Sequence, residues 1–218
     1  MKSAFFLPVI LFVLNVSAQF ETVDREQIKQ QVTDQSAASY YPNLLQRFNN
    51  NDFTLTLADY RALYYGFVFQ PAYSGYADHQ KKQISEAISN HNYTEAVRVA
   101  DEVLQRIPVS LTANYLKGYA LFKIDSTDNS WVTYRKKYTS LRDAIISSGD
   151  GLSCATAFKT IFVTDEYDIM YNYFEISSRS SQQLVYPCDK FTIDPSKYFQ
   201  AKEIFFDTSE SMRSLRKR

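Results

Sequence analysis

Glycine is scarce in this chain, five residues in 218, and no group of them forms a phosphate-binding loop or a Gly-x-Ser-x-Gly turn. Nucleotide-binding and serine-hydrolase readings therefore lack their usual sequence ground. Histidine occurs twice, His79 and His91, with no His-Glu-x-x-His pair. Two cysteines without Cys-x-x-Cys spacing or a neighbouring histidine make a poor zinc site, which needs four ligands or an open three. No metal site, cofactor or catalytic residue is assigned on this basis. An excess of one charge is missing too. The chain has 24 basic and 24 acidic side chains, so no global field recruits nucleic acid or an anionic membrane.

Aromatic rings are what the sequence does have: 17 Tyr and 16 Phe beside a single Trp. An apolar fraction of 45% is ordinary for a globular protein and argues against wholesale disorder. Tyrosine carries an apolar ring and a polar tip, so it suits helix packing, interfaces or ligand stacking. Packing is the plainer expectation, and stacking on exposed rings stands beside it.

The first 18 residues read as an export leader. Lys2 supplies a short positive region, Ala4 to Leu14 is an almost unbroken apolar run, and Val16-Ser17-Ala18 places cleavage after Ala18. The run falls short of the about 20 residues a membrane span needs, so the mature chain is expected to carry no integral membrane segment. No cysteine follows to take a lipid. The expected location is periplasmic or secreted. In such a compartment Cys154 and Cys188 can pair, closing a loop of about 35 residues. A disulfide and two buried free thiols both fit the sequence.

Along the mature chain, residues 21–35 hint at a helix and Pro42 suits the first turn of a short one over Asn43 to Phe48. The Asn49-Asn50-Asn51-Asp52 run stops it. Thr56 and Asp59 form a cap pattern ahead of Leu57, Tyr60, Leu63, Tyr64, Phe67 and Val68, which share one helical face. Tyr65, Gly66 and Phe69 widen that face almost to a full circumference, which predicts a central helix ending at Gln70-Pro71. A further helix is expected from about Asp78 to Ser89. Tyr93–Ile107 and Leu111–Ile124 follow, broken at Pro108, with Asn92 as the first cap and Gly118 in the second helix. Trp131 to Ile146 is the last long helix, with Tyr134, Tyr138, Leu141 and Ile145 on one side.

The texture changes at Gly149-Asp150-Gly151. Asp150 there fits a turn better than a calcium loop, because alternating oxygen ligands are missing. Phe158–Val163, Gln183–Tyr186, Lys190–Ile193 and Glu203–Phe206 have strand character. Asp165 to Asn172 reads as a short helix and Ser211–Arg218 as a helical turn. The fold class is thus α+β. A leader (1–18) precedes a helical module (19–148) and a small α+β module (149–218) with a short antiparallel or mixed sheet.

Two resemblances add to this. Asn92-Tyr93, Glu95-Ala96, Leu104 and Pro108, followed by Ala113, Gly118 and Ala120, resemble a degenerate tetratricopeptide helix pair. Over nearly the whole mature chain, Tyr40-Tyr41-Pro42-Asn43-Leu44-Leu45 and Leu57-Ala58-Asp59-Tyr60-Arg61 resemble the domain of unknown function 4919 family of exported Gram-negative bacterial proteins. Leu63-Tyr64-Tyr65-Gly66-Phe67, Asp165-Glu166-Tyr167 and Lys202-Glu203-Ile204-Phe205-Phe206 carry the same resemblance. It implies membership and no activity. Cys154 departs from that family's pattern, so a disulfide would be a feature of this chain.

The function expected from all this is non-enzymatic binding or scaffolding in the cell envelope, with another envelope or secreted protein as partner. Two alternatives stand beside it. One is glycan or small-ligand binding by exposed rings among Tyr64, Tyr65, Phe67, Tyr73 and Tyr76. The other is an envelope hydrolase using carboxylates such as Glu166 and Asp168, because glycosidases need only two carboxylates at a set spacing.

Overall fold

The computed structural model describes residues 20–76 and 81–216, so the expected leader and His79 lie outside the described residues. Helices come first: α1 (Arg25–Thr33), α2 (Tyr41–Asn49), α3 (Leu57–Gly66), α4 (Lys81–Ser89), α5 (Tyr93–Arg106), α6 (Leu111–Ile124) and α7 (Ser130–Ile146). Then follow β1 (Phe158–Lys159), α8 (Val163–Asp168), β2 (Arg179–Val185), β3 (Cys188–Ile193), β4 (Glu203–Asp207) and α9 (Ser209–Leu215). The fold is α+β.

Local chemistry explains most helix starts. Asp24 accepts from the backbone N–H groups of Glu26 and Gln27, and Pro42 sits in the first turn of α2, where no N–H partner is needed. Thr56 and Asp59 bond reciprocally, the Asp59 carboxylate accepting from the Thr56 N–H at 2.8 Å. Asn92 accepts from the Glu95 N–H at 3.2 Å, and Ser110 from the Ala113 N–H at 3.1 Å.

Helix α3 is the centre. Its residues from Tyr60 to Gly66 are all buried, and it runs on as a 3-10 turn over Phe67–Phe69 until the chain extends at Gln70 ahead of Pro71. Gly66 allows this crowding. A Cβ there would lie 2.8 Å from Val32 of α1 and 3.1 Å from the Tyr41 ring of α2. Helices α4 to α7 pack each on the next, and α3 lies against α7.

The sheet has the order β1-β4-β3-β2, with β1 parallel to β4 and the other pairs antiparallel. It is therefore mixed. Phe158–Val163 is shorter as a strand than its composition predicts, since only Phe158 and Lys159 pair with β4. The Ile161 N–H turns inward to the Tyr64 hydroxyl, and Val163 already opens α8. Burial keeps that run apolar after its extended pairing has ended. Helix α8 continues as a π-helical turn over Ile169–Tyr173. One contiguous core runs from Ile28 to Phe206 and includes Leu63, Ile145, Phe158, Phe191 and Ile204.

Cys154 and Cys188 form a disulfide with Cα atoms 5.8 Å apart, tying the turn after Gly151 to the first residue of β3. Gly151 has φ +70°, and a Cβ there would stand 2.4 Å from the Phe158 ring. Asp150 makes the expected turn, its carboxylate accepting from the Leu152 N–H at 2.9 Å. The two cysteines are 34 residues apart, which corresponds to about 3–4 kcal/mol in the chain-entropy account. Replacing both by alanine should lower the melting temperature by roughly 6–12 °C. Alkylation of the denatured, unreduced protein should mark neither thiol. Full labelling without reductant would refute the bond.

Candidate functional site

The five candidate rings do not share a surface. Tyr64 is wholly enclosed; its hydroxyl donates to Asp165 and accepts from the Ile161 N–H at 3.1 Å. Tyr65 is buried and donates to the Lys159 carbonyl at 3.1 Å. Phe67 is buried against Tyr73 and Phe162. Tyr73 is half-buried and donates to the Ile161 carbonyl at 2.7 Å, and Tyr76, 39% exposed, is the open one. An exposed platform of Tyr64, Tyr65 and Phe67 is thereby corrected: α3 has no solvent side, so its rings build the core. The exposed rings gather elsewhere, as Tyr115, Tyr119 and Phe122 on α6, with Trp131 of α7 against Phe122 at 5.3 Å.

The carboxylates of α8 are equally interior. Asp168 accepts from the Thr112 hydroxyl and from Asn172 at 2.9 Å, and so clasps α6 to α8. Asp165 holds Tyr64. Glu166 is 0% exposed and, as a carboxylate, neither of its oxygens accepts a hydrogen bond. Burial, followed by the charges of Asp189 and Asp165, raises its pKa well above the usual carboxylate range, which favours the protonated acid, able to donate to Asp189. Groups with no surface meet no substrate, and the hydrolase alternative loses its residues. His91 is exposed, its ring 3.0 Å from the Tyr93 hydroxyl.

One charged group, by contrast, borders an opening. A groove of about 640 Å³ lies between α2, the Gln70–Ala72 turn, the end of α5, and α6 and α7. Leu45, Phe48, Phe67, Leu104 and Pro108 give it apolar walls. Lys137 of α7 lines it, is only 7% exposed, and has neither ion-pair nor hydrogen-bond partner among the described residues. Its ammonium rests over the Phe48 ring at 4.6 Å and 5.6 Å from the centre of Tyr134. Burial, and then the neighbouring Lys117 charge, push its pKa down to about 8. Lys117 is itself neutralised by Asp101 and donates to the Tyr134 hydroxyl at 2.5 Å.

Two neutral atoms of groove-lining residues also lack a partner, both buried in the wall. Asn114 donates to the carbonyls of Pro108 at 3.1 Å and Ser110 at 2.8 Å. Two carbonyl acceptors fix which way the amide faces, so Oδ1 is the atom without a partner. The Tyr41 hydroxyl lacks a partner as well, and burial raises its pKa. A smaller cavity of about 200 Å³ beside α1 and α9 contrasts with this. Its charges are matched, Arg25 with Glu210 at 2.9 Å and Lys159 with Asp207 at 2.8 Å.

The model of the family described as Domain of unknown function (DUF4919) matches residues 26–217, which takes in every wall of the groove. The chain belongs to that family. No curated protein and no solved structure is significantly similar to it. The DUF4919 match covers α1 to α9, and it assigns no activity.

Sequence reasoning passed over Lys137, Lys117 and Asn114. A signal was there: Lys137 sits three after Tyr134 and four before Leu141, inside the buried stripe of α7. Lys117 likewise falls between Ala113 and Ala120 in α6. A lysine in an apolar stripe is an anomaly worth following.

Two titrations follow. Below pH 8 Lys137 is charged in folded and unfolded chains alike, and the folded state bears its desolvation. Between about 8 and the unfolded value near 10.4 the native state gives up the proton first, and the penalty fades. Lys137→Met should therefore be stabilised by about 1–2 kcal/mol at pH 7, with water at the groove mouth limiting the gain. The advantage should shrink toward pH 10.5 in denaturant titrations, and a constant difference would refute the shift. Glu166 has the opposite sense. Folded and unfolded chains both hold its proton at pH 4, but the unfolded chain loses it first as pH rises. Glu166→Gln should match the wild type at pH 4 and melt higher at pH 8; equal melting at both would refute a neutral Glu166.

Proposed function

We propose that this protein is an exported, non-enzymatic binding protein of the periplasm or the secreted fraction, and that its binding site is the groove around Lys137. The leader-like residues 1–18 and the Cys154–Cys188 disulfide support the export part of this reading. One observation supports the rest. The Lys137 ammonium borders a concave, largely apolar surface and has no ion-pair or hydrogen-bond partner among the described residues. Leaving such a group unmet costs at least about 1–3 kcal/mol, and a ligand that meets it recovers part of that. The volume of about 640 Å³ lies within the range of small-molecule sites.

Scaffolding of another envelope protein is the second reading, and it draws on a different surface. Tyr115, Tyr119 and Phe122 expose their rings on α6 beside Arg135 and Arg142. Amide chemical-shift mapping with a fragment collection separates the two. Shifts at Leu45, Leu104, Asn114 and Lys137 are expected. Shifts confined to Tyr119, Phe122 and Trp131 would favour the docking face instead, and none on either surface would sink the groove reading.

A further inference from the structure

Resting on the groove as the binding site, we infer that its ligand is a small amphiphile with an oxyanion to pair with Lys137 and an apolar body. Each part answers a feature of the wall. Lys117 is already matched by Asp101, so among the described residues Lys137 is the groove lysine left without a counter-ion. A buried cation without a counter-ion favours an anion over any neutral or cationic guest. Carboxylate and phosphate both supply that charge together with hydrogen-bond acceptors for an ammonium.

The apolar part has a place as well. Leu45, Phe48, Leu104 and Pro108 offer no hydrogen bonds, so a bare inorganic anion would leave those walls unfilled. Anion binding beside Lys137 also stabilises its charged form. Its low pKa should climb on binding, and the complex should take up a proton between pH 8 and 10.

Four probes test the assignment: 3-phenylpropionate, its neutral amide, phenyl phosphate and inorganic phosphate. The readouts are amide shifts and the Cε resonance of Lys137 in protein carrying 13C-labelled lysine. Either phenyl anion should bind and move the Lys137 titration upward, and whichever binds more tightly tells carboxylate from phosphate. Lys137→Met should weaken that binding by roughly tenfold or more while Lys137→Arg retains most of it. If the amide shifts the groove residues as strongly as the acid, and Lys137→Met changes nothing, the groove binds ligands but the oxyanion assignment is wrong. If inorganic phosphate binds as tightly as phenyl phosphate, the apolar body is wrong. Should no probe shift groove residues at millimolar concentration, the oxyanion class falls; the fragment mapping then decides whether the groove reading falls with it.

Discussion

From Tyr60 to Gly66 helix α3 is enclosed on every side, and a helix stretch without a solvent face has to find indoor partners for the polar atoms it carries. Tyr64 meets this by reaching into the second half of the chain, where its hydroxyl donates to Asp165 and accepts from the Ile161 N–H. Tyr65 reaches the Lys159 carbonyl. Arg61, also buried, donates to Ser147 at the end of α7 and to the carbonyls of Glu21 and Thr22. One helix turn thus pins the N-terminal segment, α7 and the β1–α8 crossing to a common centre. The helices and the sheet share one core, and these bonds tie α3 to both.

The same accounting separates structure from function among the buried charges. Asp165 and Asp168 look chemical in sequence, yet each is consumed by a clasp, the first to α3 and the second to α6. Glu166 has no such clasp and avoids the cost of burial by keeping its proton. Lys137 differs from all three. It lies where the packing leaves a concave opening, so its unmet charge faces a space that a guest can enter. A protein selected for stability alone would gain by placing an apolar residue there.

Much of the fold was readable from local signals. Caps at Thr56, Asn92 and Pro42, the stop at Pro71 and the Gly149-Asp150-Gly151 turn act over three or four residues, so sequence spacing carries them in full. The family was equally legible, because its motifs are spread along the chain from Tyr40 to Phe206. The five candidate rings failed for a physical reason. A tyrosine on a helix reads the same whether its ring meets water or another helix, and only the arrival of α1, α2 and α7 around α3 decides which. The rings that remain exposed, Tyr115, Tyr119 and Phe122 on α6 among them, carry no distinguishing local pattern.

By itself, then, the sequence determined the secondary elements, the α+β class, the family, and the presence of two cysteines able to pair. Those properties follow from backbone preference and periodicity, which act between near neighbours. The tertiary structure decided that Cys154 meets Cys188, that the Tyr64 hydroxyl meets Asp165, and that Lys137, Asn114 and Tyr41 line one groove. Each of these depends on atoms brought together from distant stretches, and on which polar groups the packing leaves without a partner.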